Sequence, residues 1–296
     1  MKSALFLAAI SCILNSNDPF EPSGIMPAGP LKGHCIGTED RRTLKILSSA
    51  DVKLYPAFQH LDQQRYEFVA NLKHQGKYWI AAIPTSLKEK AVEKVIFQIE
   101  HFPAPVPAAH TQVRYHLKPE HPALLYPQAL NEKADHFVKI YDLITSFEAV
   151  PARDGPTYDL FKGQEDYFAL AYRIITLEDK IKYMITDQGH QVDQLQLNLD
   201  AEGSTTLLHG MIQYAGRDPE MNTMYQTLGR NCTSEIFQGI DASLGRVGMN
   251  DWQILKDPVA ANYPPISGKA LRVRGLLNEQ SKIQSLNDEL GLPARK

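Results

Sequence analysis

Hydrophobic and polar positions alternate most cleanly in Ala109-His110-Thr111-Gln112-Val113-Arg114-Tyr115-His116-Leu117. Thr111, Val113, Tyr115 and Leu117 fall on one side, and His110, Gln112, Arg114 and His116 on the other. A period of two predicts a strand with one polar face. Extended segments are also predicted at Glu67–Leu72 and Tyr78–Ile83, joined by the turn His74-Gln75-Gly76-Lys77, at Tyr167–Ile175, at Lys182–Ile185 and at Leu195–Leu199. His136 to Val150 is long, apolar and β-rich, whereas Lys118 to Asp135 carries no regular pattern. Helical spacing of Val92, Val95, Ile96 and Ile99 predicts a helix over Ser86–Ile99, capped by Ser86. Pro103, Pro105 and Pro107 break the chain after it. Asp200 is placed to cap a helix over Ala201–Tyr214, and Pro219–Leu228 reads as helical or turn-like. In Thr233–Leu244, Ile236, Phe237, Ile240 and Leu244 share a helical face. The mixture predicts an α+β fold.

The chain divides into four segments: an export segment at 1–14, a loop-rich lead-in and α+β extension at 15–104, a main domain at 105–250 and a tail at 251–296. The first begins Met1-Lys2-Ser3 and continues with an apolar run from Ala4 to Leu14. That run is too short to span a bilayer and suits a signal-peptide core. Ala9-Ile10-Ser11-Cys12 resembles a lipobox in which alanine replaces the usual larger aliphatic residue, so lipidation at Cys12 and peripheral attachment through the N-terminus are expected alternatives to simple export. No other run approaches transmembrane length.

Composition narrows the picture further. The 296 residues are enough for a sizeable core, and 43% of them are hydrophobic. A net charge of −3, with no basic stripe, argues against nucleic acid as a partner. The three cysteines, Cys12, Cys35 and Cys232, are too few for a disulfide framework, although a Cys35–Cys232 bond would suit an oxidising compartment. No His-Glu-x-x-His, Cys-x-x-Cys, phosphate-binding glycine loop or Gly-x-Ser-x-Gly elbow is present, so no metal and no cofactor are expected.

Cys232 is the best candidate nucleophile. It stands just before or within the first turn of the last predicted helix, where the positive helix end and free N–H groups favour thiolate and can stabilise an oxyanion. Asn231 and Thr233 make its surroundings polar. A thiolate nucleophile needs a base, and ten histidines leave the choice open. His110 lies on a polar strand face, His136 opens an apolar strand, and His190 and His209 fall in a turn and a helix. A lone cysteine is as readily a small buried hydrophobe.

The order of several short motifs resembles the periplasmic domain of Lnb-type lipoprotein N-acyltransferases over about residues 105–245. The matching pieces are Ala109-His110-Thr111, Ser146-Phe147-Glu148-Ala149 and Tyr158-Asp159-Leu160-Phe161-Lys162-Gly163 with its following aromatic strand. After them come the alternating Leu195, Leu197 and Leu199, and Tyr225-Gln226-Thr227-Leu228-Gly229-Arg230-Asn231-Cys232-Thr233. The resemblance implies a papain-like fold, circularly permuted so that His precedes Cys, with an antiparallel sheet packed on helices. It implies Cys232 as nucleophile, His110 as base and Glu148 as the acid that orients it, with His136 the runner-up base. Asn231, Thr233 and Tyr225 are expected to support the oxyanion. It further implies a periplasmic protein of the cell envelope acting on a lipid or lipoprotein acyl group. Three features depart from the family pattern: extra residues over about Lys118–Lys133, Val150 where the family often has Arg, and the absence of further membrane segments. Expected functions are therefore a thiol-dependent acyltransferase or acyl hydrolase, an envelope cysteine peptidase or amidase using the same residues, or a non-catalytic binding module that retains the fold. An apolar groove beside Cys232 would favour the first and a polar open cleft the second. A disulfide-bonded Cys232, or one buried or remote from any histidine, would favour the third.

Overall fold

The computed structural model describes residues 12, 17–103, 108–245 and 262–292. The expected export segment 1–14 lies outside them except for Cys12, as do the proline break at Pro105 and Pro107 and positions 251–261 and 293–296 of the tail. Among the described residues no helix is long and apolar enough to cross a membrane.

One large, mostly antiparallel sheet organises the chain. Its strands are β1 (Lys45–Ile46), β2 (Tyr66–His74), β3 (Lys77–Pro84), β4 (Val92–His101), β5 (Ala109–Leu117), β6 (Ala123–Pro127), β7 (Val138–Ile140), β8 (Asp142–Pro151), β9 (Phe168–Thr176) and β10 (Gln191–Gln196). They run in the order β10-β4-β5-β8-β9-β2-β3-β6-β7, with β1 added to β2. Only the β2–β9 contact is parallel, through Lys73 and Ile175. The helices are α1 (Ser49–Val52), α2 (Leu160–Gln164), α3 (Leu177–Ile181), α4 (Ala201–Ala215), α5 (Cys232–Ser243), α6 (Gly268–Val273) and α7 (Leu286–Glu289).

The β2–β3 hairpin follows its sequence signal. Gln75 and Gly76 both take positive φ, 48° and 75°, which matches the turn to the strand twist. β4 overturns the expected helix over Ser86–Ile99. Val95, Phe97 and Ile99 face the core on one side, while Ile96, Gln98 and Glu100 are buried on the other. A strand covered on both faces has no clean alternation, so its β-branched residues mimicked helical spacing. The Lys182–Ile185 strand is likewise replaced by a π-helical stretch, Lys182–Asp187, that continues α3. β6 emerges inside the supposedly irregular Lys118–Asp135, where pairing with β3 supplies what local pattern did not.

α4 and α5 cover one face of the sheet. Phe237 of α5 stacks on Phe97 of β4 at 5.9 Å, each buried and each worth about 1.5–3 kcal/mol on removal from water. The two helices approach closely because Gly210 and Gly239 carry no side chain there; a Cβ on Gly239 would lie 2.5 Å from the Met211 sulfur. On the other face α3 and its π-helical extension lie over the middle strands, with Leu177, Met184 and Ile185 packed on Ile144, Ile175 and Val192. Beneath that cover the sheet is polar: Gln98, Gln112 and Gln194 form a hydrogen-bonded row, and Arg114 pairs with Asp142 and Glu289. Part of the tail joins the same body, since Ala270, Leu271 and Leu276 are buried in the main core.

Candidate active site

Local sequence fixes the start of α5. Asn231 is extended (φ −124°, ψ −179°), and its side-chain oxygen accepts the Thr233 and Ser234 N–H groups, both at 2.9 Å. The Ser234 hydroxyl accepts the Asn231 N–H in return at 2.9 Å, completing a reciprocal cap. The Asn231 amide also donates to the Thr227 carbonyl at 2.7 Å, tying the helix to the preceding turn. Asn231 thus supports the site by holding the helix start. Cys232 occupies the first helical position, where backbone donors and the positive helix end converge.

The sheet makes room for this helix end. β5 and β8 pair only from Gln112↔Ser146 to His116↔Asp142. Beyond Gln112, β5 continues on β4 alone, and beyond Ser146, β8 continues on β9 alone. The Thr111 N–H, which β8 no longer reaches, lies close enough to Cys232 to lower its thiol. The Thr111 hydroxyl lies 3.1 Å from that of Thr233, and Thr233 Oγ1 lies 3.8 Å from Cys232 Sγ. Thr233 therefore locks α5 to β5.

His110, the strand neighbour of Thr111, faces Cys232 and interacts with it electrostatically. Its Nε2 lies 2.8 Å from Ser146 Oγ, and Ser146 donates to Glu148 Oε1 at 2.9 Å. The structure therefore brings Cys232, His110 and Glu148 together but inserts Ser146 between the last two. Glu148 is buried, and Arg173, Lys180 and Arg41 all pair with it, at 3.1 Å for Lys180 and 3.2 Å for Arg41.

The charges reflect this packing. Burial alone would push the Cys232 thiol up, but His110, the Thr111 N–H and Thr233 outweigh it and bring the thiol down to about 7. Burial pulls His110 down, and the facing Cys232 more than reverses that, so its net shift is upward. Burial would also raise Glu148, yet Arg173 and Lys180 hold it well below the usual carboxylate range. Tyr225 is pushed well up, by burial first and then by the neighbouring Cys232. Tyr225 lies edge-on to the Tyr158 ring at 5.8 Å, and the Tyr158 hydroxyl lies 3.2 Å from that of Thr227.

Two expectations are corrected. His136 is exposed in the loop before β7, at the far edge of the sheet from β5, because Phe137 anchors that loop in the separate cluster around Phe58 and Tyr126. The disulfide joins Cys12 to Cys35 and leaves Cys232 as a free, buried thiol, 4% exposed. The disulfide also occupies the sulfur to which a lipid would be attached.

Ser146 escaped the sequence reading although the signal was there. It precedes Glu148 by two positions, and a strand puts such residues on one face. Thr111 and Tyr158 lie within quoted motifs without being singled out. Lys180 and Glu100 carried no local signal at all.

An α+β protein with a free thiol at a helix N-terminus, facing an imidazole that leads through a hydroxyl to a carboxylate, is the class that fold and site define. The chain belongs to the family of the Lnb N-terminal periplasmic domain, whose model matches residues 85–260. It is accordingly an envelope protein of a periplasmic family. Searches of curated proteins and of solved structures find no match.

Proposed function

We propose that this chain is a thiol-dependent acyltransferase or acyl hydrolase of the cell envelope, with Cys232 as nucleophile and His110 as base, built on a permuted papain-like plan. The observation that carries the reading is the continuous contact from Cys232 through His110 and Ser146 to Glu148. Because Ser146 donates to Glu148, its oxygen accepts from His110 Nε2–H, leaving Nδ1 as the nitrogen available to the thiol. A thiol lowered to about 7 beside a raised histidine has the character of a thiolate–imidazolium pair.

In the proposed reaction the thiolate attacks the carbonyl carbon of an ester or amide. The developing oxyanion forms at the positive end of α5, with Tyr225 beside Cys232. The tetrahedral intermediate collapses to a Cys232 thioester, and imidazolium gives its proton to the leaving oxygen or nitrogen. An amine, for transfer, or water, for hydrolysis, then loses a proton to His110 and attacks the thioester, which regenerates the thiol.

The surface beside the helix start supports an apolar acyl group. Phe161 is 82% exposed and Leu228 78% exposed. They stand on segments joined by the Thr227 N–H to Gly163 carbonyl bond and by the Leu228 N–H to Gln164 bond, next to the Asn231 cap. Cys232 is buried, as the non-catalytic reading expects, but it is free of the disulfide and faces His110, and those two facts weigh against that reading.

The test is to incubate the protein with phospholipid vesicles as acyl donor and a lipopeptide amine as acceptor, then measure the intact mass. A hydroxylamine-labile acyl adduct on Cys232, and product formation lost in Cys232→Ser, are expected. Equal turnover by the wild type and Cys232→Ser would overturn the nucleophile. Cleavage of an envelope peptide without acyl transfer would replace this function by the peptidase reading.

A further inference from the structure

The polar face behind His110 holds a second carboxylate. Glu100 of β4 stands directly opposite His110 of β5 in the sheet register. It is buried, its Oε1 2.6 Å from His190 Nδ1 and its Oε2 3.8 Å from Lys180 Nζ. The same ammonium lies 3.1 Å from Glu148 Oε1. Lys180 thus reaches from α3 to both carboxylates that flank the base, one on each neighbouring strand, and is itself only 3% exposed.

Neutralising Glu148 does not by itself explain this burial, because Arg173 and Arg41 already pair with that carboxylate. Among the described residues, the side-chain partners of Glu100 are His190 and Lys180, neither an arginine. A buried ammonium is costly to desolvate and is tolerated where it meets compensating charge. Two carboxylates beside one imidazole would otherwise hold a proton on it permanently, and an imidazolium cannot accept the proton of the second nucleophile.

We propose that Lys180 is a positioning residue of the Cys232 site, bridging Glu100 and Glu148 so that both stay ionised while His110 remains able to release its proton. This rests on the reading of Cys232 and His110 as nucleophile and base. Lys180 acts through the two carboxylates and by its own charge, which opposes protonation of His110, while Glu100 favours it. Removing the ammonium therefore makes the site more negative and raises the proton affinity of both His110 and Cys232.

The test uses the whole chain with its disulfide intact and iodoacetamide as the probe. The alkylation rate of Cys232 is followed by intact mass between about pH 5 and pH 10, a span that brackets ordinary histidine and thiol titration. In Lys180→Met both limbs of the profile are expected to move to higher pH, by about half to one unit. Lys180→Arg restores the wild-type profile, and Glu100→Gln moves it the opposite way. A folded Lys180→Met protein with an unmoved profile overturns the proposal, as does a Glu100→Gln shift to higher pH. If Lys180→Met does not fold, the direction in Glu100→Gln decides. A structural role alone would lower the unfolding temperature and leave the profile in place. Failure of the underlying reading is distinct: wild-type Cys232 would then show no histidine-dependent limb at all.

Discussion

Nε2 of His110 lies 2.8 Å from the hydroxyl of Ser146, so an alcohol stands between the imidazole and the Glu148 carboxylate. The hydroxyl accepts from the imidazole and donates to Glu148, which fixes the ring tautomer while keeping the negative charge one residue away. Separating orientation from charge in this way gives Ser146 and Glu148 different mutational signatures.

Ser146→Ala removes the relay and leaves Glu148 with its three cations. Turnover and Cys232 alkylation near neutral pH are expected to fall roughly tenfold or more. Stability should drop only about 1–2 kcal/mol. Denaturant titration beside an alkylation assay checks the pair of effects.

Glu148→Ala is expected to act chiefly on folding. It removes the carboxylate partner of Arg173 and leaves Lys180 with Glu100 alone in a buried position, and breaking such a cluster costs about 3–5 kcal/mol. A variant as stable as the wild type would show that the cations find other partners.

Iodoacetamide without reductant should modify Cys232 alone, because Cys12 and Cys35 are joined. The wild-type rate is expected to rise through a midpoint near the thiol's lowered value of about 7. His110→Ala removes the main lowering influence while burial remains, so the midpoint moves to higher pH by about one unit or more and the rate at pH 7 falls roughly tenfold or more. Peptide mapping of the labelled thiol provides the measurement.

Reduction of the Cys12–Cys35 bond should destabilise the protein by about 2–4 kcal/mol and leave the Cys232 alkylation profile unchanged. Non-reducing mass spectrometry of protein from the envelope is expected to find the cross-linked peptide. A lipid thioether on Cys12 in its place would contradict the structure, since one sulfur cannot hold both.

Acid sensitivity follows from the buried carboxylates. Burial raises Glu148 and Glu100, but their cationic partners outweigh it, and both end below their ordinary values. Their contribution is therefore present above the unfolded glutamate value of about 4.3 and is lost as pH falls through the folded values. His110 is shifted the other way, so its contribution is full below about 6.5 and is lost as pH rises through its raised value. Thermal unfolding across pH should show a steep acid limb and a shallower decline on the alkaline side.

The chain itself determined what rests on local physics. Alternation set β5, the Gln75-Gly76 turn set the first hairpin, Asp200 capped α4, and Asn231 with Ser234 capped the helix that begins at Cys232. Those rules act over a few residues, and so the helix-start position of Cys232 and one strand-borne histidine were legible. The tertiary structure decided what depends on covering both faces of a strand or on contacts distant in sequence. It made β4 a strand despite helical spacing, drew β6 from a patternless stretch, and left His136 at the far sheet edge. It parted β5 from β8 so that Thr111 could meet Cys232, and it brought Lys180 from α3 between Glu100 and Glu148. Buried charges are selected by partners across the fold, and no local pattern marks where those partners will be.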